Sequence, residues 1–244
     1  MQFARYVALG DSMSSDHYPT CDVRGLDMPP PRLDPLGAAA LLYRNDDVRW
    51  PDFAGRDLAH RSPGVVFTDL TEDGALIEDV SSGQLDRLGH DLHDPGILVT
   101  LTAGGNDLLD ALFAGRPLER VVPGIERDYT ELVNLLRGEM PRATLVLTTV
   151  YDPTDGTRVL PRLQELGRLP LEYLARFNGH VRETAARTPG ALLGDVHRHF
   201  LGHGITAAGL ECWYWSPSPI EPSARGASEI RRVWWEALEE RDVR

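Results

Sequence analysis

The chain predicts an α/β fold, a parallel sheet with helices packed on both faces. Three observations predict it. Five short apolar runs, at residues 4–10, 65–70, 97–103, 144–150 and 191–196, are β-branched or leucine-rich and lack alternation. That is the pattern of parallel strands covered on both sides. Helical periodicity falls between the runs, and strands alternating with helices require right-handed crossovers that lay helices on each face.

Each element can be read in turn. The first strand holds Tyr6, Val7, Ala8 and Leu9 and stops at Gly10. Residues 14–50 contain MPPPRLDP and little periodicity, so they read as a long loop over the sheet. VVFTDL, ILVTLTA, TLVLTTV and ALLGDV supply the other four strands. Ile125, Tyr129, Leu132, Val133 and Leu136 form one helical stripe, and Leu174, Phe177 and Val181 another. Residues 198–222, rich in Gly, Trp and Pro, read as a second long loop, and loops of that length are usually functional. The last helix carries Ile230, Val233, Trp234 and Leu238 on one side, so Trp234 and its neighbour Trp235 are not both expected to face inward. The length of 244 residues suits one domain, 1–244.

Composition narrows the function. With 42% hydrophobic and 25% charged residues the chain can bury a full core. Its net charge of −12 opposes binding to nucleic acid or an anionic membrane face, and favours a small neutral or cationic partner. The sequence contains no lysine, which removes Schiff-base chemistry and the phosphate-binding P-loop. Cys21 and Cys212 make no disulfide framework and read as reduced thiols. Without a signal-peptide pattern or a membrane-spanning stretch, a cytoplasmic protein is expected.

Polar chemistry gathers after the strands, at the carboxyl edge where such sheets bind ligands. The first strand is followed by Gly10-Asp11-Ser12, the second by Asp73-Gly74-Ala75 and the third by Gly104-Gly105-Asn106-Asp107. Tyr151-Asp152-Pro153 follows the fourth, and a histidine-rich stretch the fifth. Acyl transfer needs a nucleophile, donors for the developing oxyanion, and a base. Ser12 can be the nucleophile, with the Gly74 N–H and the Asn106 amide as donors. Glycine suits position 74 because the backbone must approach the substrate closely.

VALGDS, DGALIEDV and LTAGGNDLL resemble the first three blocks of the GDSL (SGNH) hydrolases, in the right order and across nearly the whole chain. The resemblance implies a three-layer α/β/α sandwich with a flavodoxin-like, five-stranded parallel sheet. It also implies an ester or acyl hydrolase that works through an acyl-Ser12 intermediate, without a cofactor. The N–H groups of Ser12 and Gly74 and the Asn106 amide would then form the oxyanion hole. The G-x-S-x-G elbow of other α/β-hydrolases is absent, since Gly10-Asp11-Ser12-Met13-Ser14 lacks the last glycine. Asp11 is expected to orient the turn.

The fourth block departs from the family. Its Asp-x-x-His-Pro pattern falls on Ser218-Pro219-Ile220-Glu221-Pro222, so Glu221 stands in the histidine's place. A glutamate with its ordinary pKa of about 4.3 is a poor base for a hydroxyl unless burial raises it. Three readings follow. Glu221 is a base with a raised pKa; or another histidine reaches the site, with His203 first, between Gly202 and Gly204, and His199 second; or the protein binds a small ligand without turnover. Asp195, His197, His199 and His203 also suggest a metal-dependent hydrolase, although capping is the simpler role for Asp195. Trp213, Tyr214 and Trp215 can stack on a ligand or pack the loop.

Overall fold

The computed structural model describes residues 2–89, 92–93, 96–160 and 167–243. Five strands form one parallel sheet: β1 (Arg5–Gly10), β2 (Val66–Asp69), β3 (Ile97–Thr102), β4 (Thr144–Thr148) and β5 (Ala191–Gly194). Each lies within one of the apolar runs. Their spatial order is β2-β1-β3-β4-β5, the flavodoxin-like arrangement.

The helices are α1 (His17–Arg24), α2 (Ala38–Tyr43), α3 (Leu58–Arg61), α4 (Ile77–Asp79), α5 (Gly105–Phe113), α6 (Leu118–Glu139), α7 (Leu171–Arg187), α8 (Val196–His199) and α9 (Ala224–Val243). Alternate residues of β1 feed two cores. Tyr6 and Ala8 pack with α2 and α9 through Leu42, Ile230 and Trp234. Val7 and Leu9 pack on the opposite face with Tyr129, Leu132 and Leu136 of α6 and Phe177 and Val181 of α7. Helices therefore cover both faces, and three layers result. No helix among the described residues is long and apolar enough to cross a membrane. Cys21 and Cys212 are free thiols.

Three readings of the sequence are corrected. Residues 14–50 contain α1 and α2 rather than loop alone, and Ala38–Leu42 are buried. Two bonds close this segment on its own start, Ala39 N–H to the Ser14 carbonyl at 3.2 Å and Gly37 N–H to Asp16 Oδ1 at 2.6 Å. Second, Trp234 and Trp235 are both fully buried. One side of α9 packs on the sheet, where the Trp234 indole donates to Thr148 Oγ1 at 3.0 Å. Its other side is covered by α1 and α2, so a second tryptophan also finds a core. Third, β2 is an edge strand whose Val66 is 55% exposed, not a strand covered on both faces.

Candidate active site

The turn after β1 is built by backbone strain and three side chains. Gly10 has φ +123°, and a Cβ there would sit 1.9 Å from the Thr102 carbonyl oxygen, so only glycine fits. Gln84 clasps the same residue: Gly10 N–H donates to Gln84 Oε1 at 2.7 Å, and Gln84 Nε2 donates to the Gly10 carbonyl at 2.8 Å. Thr102 accepts the Asp11 N–H at 3.1 Å and shares a 2.9 Å hydroxyl contact with Ser14. The Asp11 carboxylate accepts the Met13 N–H at 3.1 Å across the top of the turn. Asp11 therefore shapes the turn, and burial pushes its pKa up to about 6. Ser12, between these anchors, is only 6% exposed.

Ser12, Asn106 and Glu221 line one cavity at the carboxyl edge of the sheet. Its walls are aliphatic, with Leu108, Leu109 and Leu112 on α5, Leu118 opening α6, and Leu169 and Leu174 near α7. Asp152 also borders it, but that carboxylate is consumed by its own loop, accepting from the N–H and hydroxyl of Thr154 and from Gly156 N–H. The lining thus combines aliphatic side chains with Ser12, Asn106 and Glu221.

Glu221 is 9% exposed. It lines the same cavity as Ser12. Burial pushes the Glu221 pKa up to about 7; the Ser12 hydrogen bond opposes the shift, and the carboxylates of Asp11 and Asp73 add to it. Asn106 donates from its amide to the Ala75 carbonyl at 3.0 Å, which ties the start of α5 to the turn holding Gly74. Gly74 has φ +76°, and open space surrounds the position of a Cβ, so its glycine answers to conformation rather than to crowding. Asp107 accepts the Ile77 N–H from the same turn at 3.2 Å.

The match to a family model for the GDSL-like lipase/acylhydrolase family runs over residues 8–227, from inside β1 into α9. The chain belongs to this family. It is a hydrolase acting on ester bonds. No curated protein matches the sequence. Solved structures share the fold of this GDSL protein. A lipolytic protein of the G-D-S-L family from Veillonella parvula is 15% identical with a TM-score of 0.60, over 96% of this chain and 98% of that one. An extracellular lipase from Streptomyces rimosus is 19% identical, with a TM-score of 0.61 and coverage of 97% and 98%. An acetyl xylan esterase from Geobacillus stearothermophilus is 13% identical, with a TM-score of 0.60 and coverage of 97% and 95%.

In this GDSL protein the two histidines considered from sequence are held away from the cavity. His203 stacks on Trp213 at 3.5 Å between ring centroids and lies 3.0 Å from the Glu211 carbonyl. His199 Nε2 pairs with Glu229 at 2.9 Å. Neither lines the cavity. Asp195 caps α8 and binds Arg182 through both carboxylate oxygens, at 2.8 and 3.0 Å. Among the described residues no group of three His, Cys, Asp or Glu side chains can hold a metal ion, so the Asp195–His203 array is not one. Trp213, Tyr214 and Trp215 are buried in packing. Sequence reasoning missed Gln84, and it placed Asp73 at the binding edge without a role; Asp73 accepts from Ser15 Oγ at 2.6 Å and pairs with His17. The leucines of α5 were visible directly after GGND as a helical stripe, and periodicity could have found that wall.

Proposed function

We propose that the protein hydrolyses esters of aliphatic acids through a covalent acyl-Ser12 intermediate. The observation that carries this reading is the leucine-rich cavity that Ser12 and Asn106 also line. Ser12 Oγ would attack the ester carbonyl, with the acyl chain lying along α5. Ser12 N–H and Gly74 N–H have no hydrogen-bond partner among the described residues, and Asn106 spends one amide hydrogen on Ala75 and keeps another. These three donors are the ones acyl transfer needs at the oxyanion, and each is worth roughly 100-fold or more in rate.

Burial of each methylene contributes about 0.8 kcal/mol, so a hexanoate ester should exceed an acetate ester by roughly 100-fold in kcat/KM. A series of p-nitrophenyl esters, with wild type beside Ser12→Ala, tests both parts. Hydrolysis that rises with chain length and vanishes in the variant supports the reading. Undiminished hydrolysis in Ser12→Ala overturns it.

A further inference from the structure

A serine hydrolase needs a group that takes the hydroxyl proton and gives it to the leaving group. In this family member Glu221 occupies the last-block histidine position, and no histidine lines the cavity among the described residues. Its backbone is fixed on both sides. Glu221 N–H donates to the Ser218 carbonyl at 2.9 Å, and the Glu221 carbonyl accepts from Trp215 N–H at 2.8 Å. The Tyr151 hydroxyl holds the preceding Ile220 carbonyl at 3.0 Å. Glu221 lines the same cavity as Ser12, and its Oε2 is buried with no hydrogen-bond partner among the described residues. A buried acceptor left unmet is costly, and such atoms in native proteins call for a reason.

Resting on the acyl-Ser12 reading, we infer that Glu221 is the proton carrier of both half-reactions, serving Ser12, then the leaving alcohol, and then the hydrolytic water. In acylation the Ser12 Oγ–acyl bond forms as its proton passes to Glu221. The ester C–O bond then breaks as Glu221 returns that proton to the departing alkoxide. In deacylation water loses a proton to Glu221 while its oxygen bonds the acyl carbon. The acyl–Oγ bond breaks, and Ser12 recovers its proton. Ester and water become acid and alcohol, and the enzyme ends as it began.

Imidazole does this work because it titrates near neutrality. The surroundings of Glu221 bring a carboxyl group to the same range. Burial does most of this; Asp11 and Asp73 press in the same direction, and Tyr18 and Tyr151 face it from α1 and the end of β4. Asp73 is itself paired with His17. Asp152 borders the same cavity.

The test compares wild type, Glu221→Gln, Glu221→His, Glu221→Gly and Ser12→Ala on p-nitrophenyl hexanoate, with thermal midpoints confirming folding. The expected result is a wild-type acid limb in kcat/KM near pH 7 and a loss of about 1,000-fold in Glu221→Gln. Added formate should restore part of the Glu221→Gly rate, and Glu221→His should recover turnover with an imidazole-like limb. If Glu221→Gln stays within threefold of wild type with the same acid limb while Ser12→Ala is inactive, the serine reading stands and this inference fails. If Ser12→Ala keeps the wild-type rate, both fail together.

Discussion

Gln84 holds Gly10 by both its N–H and its carbonyl, at 2.7 and 2.8 Å, so a side chain completes the sheet edge where β1 ends. The grip comes from a π-helical turn, Val80–Gln84, which follows α4 and swings the amide into the core. Such turns are often found at functional sites. Gln84→Leu leaves the Gly10 N–H buried without a partner, and a lost buried pair of this kind costs about 1–3 kcal/mol. Urea unfolding should show that loss. Because the clasp fixes the residue two before Ser12, kcat should fall as well while the cavity keeps its KM.

Asn106 joins the third strand's loop to the Gly74 turn through the 3.0 Å bond to the Ala75 carbonyl. Asn106→Ala should lower kcat by roughly 100-fold with little change in KM, the pattern of a donor used only in the transition state. An effect confined to KM would instead place Asn106 in ground-state binding.

Buried carboxyls make stability depend on pH. Burial pushes Asp11, Asp16 and Asp107 up to about 6 and Glu221 up to about 7. Between an unfolded carboxyl value of roughly 4 and these values, the folded chain binds more protons than the unfolded one. Stability contributed by these groups is therefore present at the acid side and is lost as pH rises through 6 to 7. Asp34, held below the usual range by its hydrogen bonds from Arg24, acts oppositely, losing its contribution as pH falls below the unfolded value. Asp195 does the same, since Arg182 outweighs burial there. The thermal midpoint should peak near pH 5 and decline toward pH 8. Glu221→Gln should raise it at pH 8 and leave it unchanged at pH 5. A midpoint that climbs from pH 5 to 8 would contradict this account.

Much of this architecture was legible in the sequence, for physical reasons that differ by element. The five strands and the α6 stripe declare themselves because burial on both faces, or on one helical face, leaves a continuous signal in residue type. The helices of 14–50 did not, since α1 and α2 span only eight and six residues and a proline-rich stretch separates them. Trp235 was misread because a single helix shows only its own stripe, and the cover from α2 is a tertiary fact. Of the residues lining the cavity, Ser12, Asn106 and Glu221 were visible as residue types; Gly74, also read from the sequence, does not line it. The direction of His199 and His203 was not, because Trp213 and Glu229 set it from elsewhere in the chain.

The α5 wall sets which acids fit. Leu109 and Leu112 border the cavity one helical turn apart. Leu112→Trp adds bulk to that wall and should lower kcat/KM for hexanoate and longer esters by roughly 10-fold or more while sparing acetate, about the value of two lost methylenes. An equal loss on every ester would mean that the wall does not hold the acyl chain.

The most direct measurement of the central claim is intact mass after exposure to a fluorophosphonate, with wild type beside Ser12→Ala. The account predicts one adduct per chain in wild type, formed at neutral pH and absent from the variant, because a serine that attacks esters also attacks this phosphorus. Wild-type protein that stays unmodified under conditions that label an ordinary serine esterase, or an adduct that persists in Ser12→Ala, would contradict it.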